Sequence, residues 1–298
     1  MQHLITPNDF SNDEILELFE DARLFHDLQT NSLLAGKLIV TLFFENSTRT
    51  RSSFEIAAKR LGADVVNLEV QTSSTKKGET VEDTVANLNS MKPDAIIIRH
   101  SDCGLPASLV EYVDCPILNA GDGKNAHPTQ ALLDLFTIYE HFDGKTKGKK
   151  IAIVGDISNS RVASSNLELL PRFGLKPILV SPKKYQVDSV YKTTTKLKKI
   201  INKLDIIMSL RVQHERHDTA ILPEELEKQK QNYAKKYCIT SELIQDKELL
   251  ILHPGPVNRN IDISDEILKD KRSKVLQQVA NGVSIRMAIL KKLILQNK

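Results

Sequence analysis

The chain has 298 residues, of which 41% are hydrophobic and 27% charged, and this composition excludes a disordered chain and a fibrous repeat. At roughly 150 residues per domain, the length favours two domains. The net charge is only +3 at pH 7 and no block of five like charges occurs, so no nucleic-acid partner is indicated and any anion site must be local. No apolar stretch approaches the roughly 18 residues that cross a bilayer, and no signal-peptide pattern opens the chain, so we expect a cytoplasmic protein with no membrane partner.

The first half of the chain alternates predicted helices and strands. Residues 11–14 (SNDE) form a capping box, and the apolar residues Ile15, Leu16, Phe19 and Leu24 behind it predict an amphipathic helix. Apolar runs predict strands at residues 37–44, 64–68, 94–99 and 116–119. Helical periodicity predicts helices at residues 52–61, 80–91 and 106–113, and one that begins at 127–130.

The second half repeats this pattern after a hinge-like stretch at residues 144–150. Predicted strands lie at residues 151–155, 177–180, 205–210 and 249–253, and predicted helices at 161–173 and 273–295. Strands that alternate with helices imply parallel strands joined by right-handed crossovers. The sequence therefore predicts an α/β fold with two doubly wound parallel-sheet domains, in which the long C-terminal helix returns to the first domain.

The three cysteines, Cys103, Cys115 and Cys238, give no sign of a metal or disulfide site. Their number is odd, and no pair has the C-x-x-C spacing of a zinc or redox centre. We therefore expect reduced thiols and no metal.

Polar and mostly cationic side chains follow the carboxyl ends of the predicted strands. The segments are 45–51 (ENSTRTR), 99–100 (RH), 211–213 (RVQ) and 253–256 (HPGP). In open α/β sheets, ligands bind outside the carboxyl ends of the strands. These four segments are therefore expected to line the binding site.

The segment Ser47-Thr48-Arg49-Thr50 lies between a strand and a helix and is a candidate anion site. Its backbone N–H groups and hydroxyls surround a helix N-terminus. Arg49 and Arg51 oppose the helix macrodipole by several tenths of a kcal/mol each, and a bound phosphate group would relieve that conflict. The alternative is an ordinary serine N-cap flanked by surface arginines.

A nucleotide cofactor is a second anionic ligand that we considered. Residues 151–156 (IAIVGD) resemble the first strand of a dinucleotide-binding fold. However, no G-x-G-x-x-G follows them, and no G-x-x-x-x-G-K-[ST] occurs in the chain. The sequence therefore does not favour a nucleotide cofactor.

Several motifs together resemble the carbamoyltransferase family along nearly the whole chain. Residues 47–51 with Phe54-Glu55 are similar to the family's carbamoyl-phosphate signature. The other matching motifs are 76–80 (KKGET), 99–100 (RH), 127–130 (HPTQ), 155–156 (GD) with Arg161, 211–213 (RVQ) with Arg216, and 253–256 (HPGP). The resemblance implies transfer of the carbamoyl group of carbamoyl phosphate to L-aspartate, giving N-carbamoyl-L-aspartate and phosphate, an early committed step of de novo pyrimidine biosynthesis. It implies no cofactor.

The resemblance also assigns roles to individual residues. It implies that the phosphate is held by Ser47, Thr48, Arg49, Thr50 and Arg99. It implies that the carbamoyl group meets His127, Thr50, Arg99, Gln130 and the backbone at Pro254 and Gly255. It implies that the aspartate carboxylates are bound by Lys77, Arg161, Arg211 and Gln213. The residues that it makes catalytic are Arg49, Thr50, Lys77, Arg99 and His127.

The resemblance further implies a homotrimer with shared active sites. Ser73 and Lys77 would reach into the site of the adjacent subunit, and Glu45 would span the domains toward Arg161 and Arg216 on closure. The implied carbamoyl-phosphate domain covers residues 1–130 and 276–298, and the implied aspartate domain covers 131–275. An association with separate regulatory chains is left open.

Structural interpretations stay open for several of these residues. His127 before Pro128 can be a helix cap, Lys76 and Lys77 a solvated loop, and His253 a residue that only holds the turn after it. The sequence departs from the family pattern at Gly255, where a larger residue such as Leu or Ala is expected. Glycine leaves that turn less restrained.

Two other functions compete with aspartate carbamoylation. An ornithine carbamoyltransferase should offer an acidic group to the substrate's cationic side chain, whereas this chain offers Arg211, and it typically has a Cys after the late His, where this chain has Pro254. A catalytically silent relative should have lost or reversed charges among the motif residues. No such loss is seen at Ser47, Arg49, His127 or Gln130.

Overall fold

The chain folds into two compact units, each built around one parallel sheet. The computed structural model describes residues 1–27, 30–69, 79–212 and 223–296. The first unit is Met1–Phe136 with Val279–Lys298, and the second is Thr137–Gln278. A four-stranded and a five-stranded sheet, both parallel, confirm the predicted α/β class. Within the described ranges, no helix combines the length and apolar character needed to cross a membrane.

The strands of the first sheet are β1 (Leu38–Phe43), β2 (Asp64–Glu69), β3 (Ala95–His100) and β4 (Ile117–Asp122). Their order across the sheet is β2-β1-β3-β4. The strands of the second sheet are β5 (Lys150–Val154), β6 (Lys176–Val180), β7 (Lys192–Thr194), β8 (Ile206–Ser209) and β9 (Leu250–Leu252). Their order is β7-β6-β5-β8-β9.

The α-helices of the first half are α1 (Asn12–His26), α2 (Thr48–Arg60), α3 (Val81–Ser90), α4 (Leu105–Ser108) and α5 (Pro128–His141). Those of the second half are α6 (Arg161–Leu169), α7 (Leu197–Ile200), α8 (Pro223–Tyr237), α9 (Ser241–Ile244), α10 (Asp265–Leu268) and α11 (Val275–Gln296). Short 3₁₀ turns lie at Pro7–Asp9, Val110–Tyr112, Leu170–Phe173, Lys183–Tyr185 and Ile201–Lys203.

The predicted strands are confirmed, and most of their apolar runs are buried, whereas β2, at the edge of its sheet, leaves Val66 exposed. Ile96, Ile97 and Ile98 of β3 and residues 151–154 of β5 are fully buried. Parallel strands are covered by helices on both faces, so they read as continuous apolar runs. The three-residue strand β7 and the helix α8 were not predicted. The former is polar, and the latter is rich in charged residues, so neither has a clear apolar pattern.

Four predicted helices differ from the structure in their bounds or faces. The helix predicted at 106–113 is the four-residue helix α4, followed by a 3₁₀ turn at Val110–Tyr112. α2 begins at Thr48, so the candidate anion segment is its N-cap and first turn. The helix predicted at 161–173 ends at Leu169 and continues as a 3₁₀ turn, because Pro171 lacks the N–H that an α-helix requires. The prediction for α1 was wrong at Leu24, which is 70% exposed, whereas Phe25 is buried.

The C-terminal helix α11 belongs to the first unit from Val279 onward, as predicted. Its apolar side chains are fully buried at Ile285, Met287, Ala288, Ile289, Leu290 and Leu293. Two buried cations accompany them, Arg286 and Lys292. The last helix of the chain is therefore part of the core that supports the first sheet.

Candidate active site

Three adjacent strands of the first unit lead into predicted site residues. β1 and β3 are neighbours with Phe43 opposite Arg99, and β4 pairs with the other side of β3. Ser47 follows β1, Arg99 is the last residue but one of β3, and His127 follows β4. Because parallel strands end at the same edge, the topology brings these three segments together.

The N-terminus of α2 lacks the side-chain cap that α1 and α3 of the same unit have. Ser11 and Thr80 accept hydrogen bonds from first-turn N–H groups of α1 and α3. Among the described residues, no such bond is made by the side chain of Ser47 at α2. The first turn of α2 contains no acidic residue, and it contains Arg49 and Arg51. Ser47 is therefore not an ordinary serine cap, and a helix N-terminus with two arginines and no acidic residue in its first turn is electropositive and suited to an anion.

Arg99 is held in place from two sides within the first unit. Its Nη1 donates to the carbonyl oxygen of Ala120 at 3.1 Å, and its Nε lies 3.3 Å from Oε2 of Glu45. Its side chain is only 12% exposed. The guanidinium is therefore preorganised beside the α2 segment. Glu45 pairs with Arg99 here, and its role toward Arg161 and Arg216 stays a prediction.

His127 comes directly before α5 at the end of a tightly bonded loop. Its carbonyl oxygen accepts from the N–H groups of Gln130 at 3.0 Å and Ala131 at 3.2 Å, so its backbone begins the helix. Its side chain is 5% exposed. The buried carboxylate of Asp122 organises the preceding loop by accepting hydrogen bonds from Gly104 N, Asn119 Nδ2, Asn125 Nδ2 and Ala126 N. This loop fixes where α5 and His127 begin.

The orientation of Gln130 is set by Asp134, which none of the sequence motifs included. Gln130 Nε2 donates to Oδ1 of Asp134 at 2.8 Å, and Asp134 is fully buried. Since a carboxylate accepts this bond, the amide nitrogen points to Asp134 and Oε1 remains an acceptor. The spacing of four residues on one helix face was the available signal. An amide held this way can accept a hydrogen bond from a carbamoyl N–H group.

The second unit has an equivalent arrangement at β5, β8 and β9, which are adjacent in its sheet. Arg161 is the first residue of α6 after β5, Arg211 follows β8, and Pro254 follows β9. Arg161 is 7% exposed, and Ser160 caps its helix by accepting from Ala163 N at 3.1 Å. The two cations and the Pro254 turn thus lie at the carboxyl edge of one sheet, where carboxylates of a ligand would meet charge-assisted donors.

Gly155 allows β5 and β8 to approach closely at this edge. It has φ +136°, and a Cβ at this position would lie 2.8 Å from the carbonyl oxygen of Leu210. Any side chain would therefore push apart the segments that lead to Arg161 and Arg211. The glycine of the Gly155-Asp156 motif is therefore explained by this close packing and not by nucleotide binding.

The turn that carries Pro254 is held by His253, as its structural interpretation proposed. His253 Nδ1 accepts from the N–H of Gly255 at 2.8 Å, and the His253 N–H donates to Oε1 of Gln278 at 2.9 Å. Gly255 has φ +70°, in the left-handed region that glycine favours. The departure at Gly255 therefore suits the backbone of this turn, and His253 supplies restraint that the glycine itself does not.

Several predicted site residues fall outside the described ranges. They are Ser73, Lys76, Lys77, Gln213 and Arg216. Across residues 1–27, 30–69, 79–212 and 223–296, no group of three or more His, Cys, Asp or Glu side chains is arranged to hold a metal ion.

Comparison with known proteins decides the family. The carbamoyl-P binding domain model of aspartate/ornithine carbamoyltransferases matches residues 2–140, and the Asp/Orn binding domain model matches residues 147–293. This chain belongs to the aspartate/ornithine carbamoyltransferase family. The resemblance seen in the sequence motifs is therefore confirmed over nearly the whole chain.

Several known proteins match this carbamoyltransferase chain over nearly its full length. It is 65% identical to the aspartate carbamoyltransferase catalytic subunit of Aliarcobacter butzleri and 60% identical to that of Campylobacter lari, with 100% of each chain covered. Among solved structures, it superimposes with a TM-score of 0.88 on the catalytic subunit of M. jannaschii aspartate transcarbamoylase at 36% identity, covering 100% of this chain and 99% of that one. The Trypanosoma cruzi enzyme in complex with N-(phosphonacetyl)-L-aspartic acid matches with a TM-score of 0.88 at 32% identity, covering 98% and 95%.

Proposed function

We propose that this chain transfers the carbamoyl group of carbamoyl phosphate to the amino group of L-aspartate, giving N-carbamoyl-L-aspartate and phosphate. The observation that carries the proposal is the uncapped, arginine-bearing N-terminus of α2 beside Arg99. The A. butzleri and C. lari relatives bear the aspartate carbamoyltransferase name. An anion site next to preorganised donors is what a phosphorylated carbamoyl donor needs.

Most of the groups that bind carbamoyl phosphate in this proposal belong to the first unit, whereas Pro254 belongs to the second. The phosphate is held by the first-turn N–H groups of α2, by the hydroxyls of Ser47, Thr48 and Thr50, and by Arg49 and Arg99. The carbamoyl N–H groups donate hydrogen bonds to Gln130 Oε1 and to the backbone carbonyl oxygen at Pro254. The carbonyl oxygen faces Thr50, Arg99 and His127. The fixed amide of Gln130 and the anchored guanidinium of Arg99 support these roles.

The reaction forms a C–N bond and breaks a C–O bond. The aspartate amine attacks the carbamoyl carbon, and negative charge develops on the carbonyl oxygen. Preorganised donors at such an oxygen are each worth about 3 to 4 kcal/mol. The bond to phosphate oxygen then breaks, and the leaving phosphate accepts the amine proton. Holding both substrates in attack geometry lowers the activation barrier by roughly 7 to 11 kcal/mol, so no protein nucleophile is required.

Arg161, Arg211 and Gln213 bind the two carboxylates of aspartate in this proposal. Ornithine would instead bring an ammonium group to the same place, where a guanidinium repels it. Measuring N-carbamoyl-L-aspartate and citrulline formation by the purified chain, with aspartate and ornithine in parallel, tests this assignment. Product from ornithine alone, or from neither substrate, would contradict it.

A variant pair on α2 makes the same assay specific for the anion site. Arg49→Ala removes a cation from the first turn, and Arg60→Ala removes one from the last turn of the same helix. We expect Arg49→Ala to abolish measurable product and Arg60→Ala to keep it. Equal losses of product formation in the two variants would show that the N-terminus of α2 is not part of the site.

The proposal includes a homotrimer in which Ser73 and Lys77 complete the site of the adjacent subunit. A head-to-tail interface repeats until a ring closes, which allows each site to be shared. Arg49→Ala and Lys77→Ala chains that are unfolded, mixed and refolded should form some sites with neither defect. Activity regained from two inactive parents supports sharing, and no recovery in verified mixed trimers would place both residues in one subunit's site.

A further inference from the structure

Arg286 of the C-terminal helix joins the two helices that carry the carbamoyl phosphate half. Its Nη1 donates to Ser53 Oγ at 3.0 Å, and its Nη2 donates to Thr129 Oγ1 at 3.3 Å. The guanidinium also lies over the ring of Phe54, 4.9 Å from its centroid. Ser53 and Phe54 belong to α2, and Thr129 lies in the first turn of α5.

These contacts are close in sequence to residues that face the substrate. Ser53 and Phe54 lie about one turn after Thr50 on α2. Thr129 stands between His127 and Gln130. The guanidinium of Arg286 therefore links the phosphate-binding turn of α2 to the start of α5.

The surroundings of Arg286 are unusual for a cation. The residue is 3% exposed, and its hydrogen bonds go to two hydroxyls and to the carbonyl oxygen of Gly282. Burial lowers the pKa of Arg286 to about 10, and the charge of Asp134 acts in the opposite direction. The group stays positive at neutral pH. A buried cation costs stability that an apolar side chain of similar size would not, which suggests a role beyond packing.

We propose that Arg286 is a positioning residue for carbamoyl phosphate, which holds the N-termini of α2 and α5 in register and places a buried positive charge behind them. The inference rests on the proposed function. Asp134 completes the arrangement, because it orients Gln130 and is the anion that acts on Arg286. The rigid fork of arginine reaches both helices at once, which the single ammonium of lysine does not.

Gly282 provides the space that this arrangement needs. A Cβ at residue 282 would lie 2.7 Å from Nη1 of Arg286 and 3.1 Å from Cδ2 of Leu133. The guanidinium lies against its own helix one turn earlier only because that position has no side chain. Gly282→Ala therefore displaces Arg286 without removing its charge.

Lys292 offers a matched control on the same helix. Its side chain is 7% exposed, and its Nζ lies 3.2 Å from Glu14 and 3.5 Å from Glu17. Both partners belong to α1 rather than to α2 or α5. Lys292→Met thus removes a buried cation from α11 without touching either helix of the proposed site.

The test compares Arg286→Met, Arg286→Lys, Gly282→Ala and Lys292→Met with the unaltered chain. Titration calorimetry with inorganic phosphate measures the anion site without turnover, and steady-state kinetics give kcat and both KM values. Displacement of reacting groups by about 1 Å costs roughly a hundredfold in rate. We expect a loss of about that size in kcat/KM for carbamoyl phosphate and weaker phosphate binding in the two Arg286 variants and Gly282→Ala. Lys292→Met should lower Tm yet keep the phosphate Kd and kcat/KM.

The outcomes separate this inference from the proposed function. An unaltered chain that forms no carbamoyl-aspartate would overturn the proposed function, whereas the phosphate titrations would still test Arg286. The inference fails if the Arg286→Lys and Gly282→Ala chains fold and have the same phosphate Kd and kcat/KM as Lys292→Met. That result would show that Arg286 has only a structural role. These two variants keep the buried charge, so they test the position of the guanidinium even if Arg286→Met does not fold.

Discussion

His253 and Asp262 form a fully buried pair behind the Pro254 turn. The His253 Nε2 and Asp262 Oδ2 atoms are 3.2 Å apart, and both side chains are 0% exposed. Because Nδ1 of His253 accepts the Gly255 N–H, Nε2 must carry the proton and donate to the carboxylate. The same carboxylate oxygen accepts the N–H of Asn258 at 2.8 Å. One carboxylate therefore holds both ends of the turn.

Replacing Asp262 by alanine should loosen this turn. The change leaves one buried and one partly buried N–H donor without an acceptor, so we expect a loss of about 3 kcal/mol in the free energy of unfolding. The KM for carbamoyl phosphate should rise, because the Pro254 carbonyl loses its support. Urea unfolding and steady-state kinetics measure the two effects. The exposed Asp265, which pairs with Arg259, is the control, and Asp265→Ala should cost less than about 1 kcal/mol. Equal losses in both variants would contradict the prediction.

His127→Ala should lower turnover and leave binding of both substrates nearly intact. Its proposed hydrogen bond strengthens as charge develops on the carbonyl oxygen, so kcat is expected to fall by roughly a hundredfold. Initial rates at saturating concentrations of both substrates measure this. His141→Ala, at the last residue of the same helix, serves as the control. An unchanged kcat in His127→Ala would reduce His127 to the backbone cap of α5.

Arg161→Ala and Arg211→Ala should impair the use of aspartate far more than the binding of carbamoyl phosphate. Each loses a charge-assisted hydrogen bond to a carboxylate, worth about 1.5 to 3 kcal/mol, which corresponds to roughly ten- to a hundredfold in the KM for aspartate. Varying each substrate in turn separates the two effects. Arg172, in the 3₁₀ turn that follows α6, is the control cation. Equal losses for both substrates would contradict this division of the site.

The three thiols should differ sharply in reactivity. Cys103 is exposed, whereas burial raises the pKa of Cys115 to about 12 and that of Cys238 to about 11. The thiolate is the reactive form, so a raised pKa lowers its fraction at pH 8, and burial also blocks access. Ellman's reagent should modify one thiol rapidly and the other two only on unfolding. Cys103→Ser should abolish the rapid phase, and a rapid phase that persists in that variant would contradict the assignment.

The local signals in the sequence were sufficient for most of the fold. Alternating apolar runs and helical periodicity predicted two parallel-sheet domains, because buried parallel strands have few polar positions. The capping box at residues 11–14 marked the start of α1, because such a cap depends only on neighbouring residues. Leu24 was assigned to the wrong face, because nine residues at about 100° each place it about half a turn around the helix from Ile15, whereas Phe25 continues the buried face.

The candidate site was also largely readable in the chain. Ser47, His127 and Arg211 lie in segments that follow strands, Arg99 lies near the end of one, and a parallel sheet brings such segments to its carboxyl edge. Gln130 could be named from its motif. The sequence did not single out Asp134 as the residue that orients the Gln130 amide, because many polar residues occur at helical spacing.

What the sequence by itself determined is therefore the set of elements, their parallel pairing and the chemistry at their ends, since these depend on neighbouring residues. Only the tertiary structure decided which distant residues support that chemistry. Arg286 bonds to Thr129 across 157 positions and to Ser53 across 233. No local pattern specifies such partners, because they meet only after α2, α5 and α11 have packed around one core.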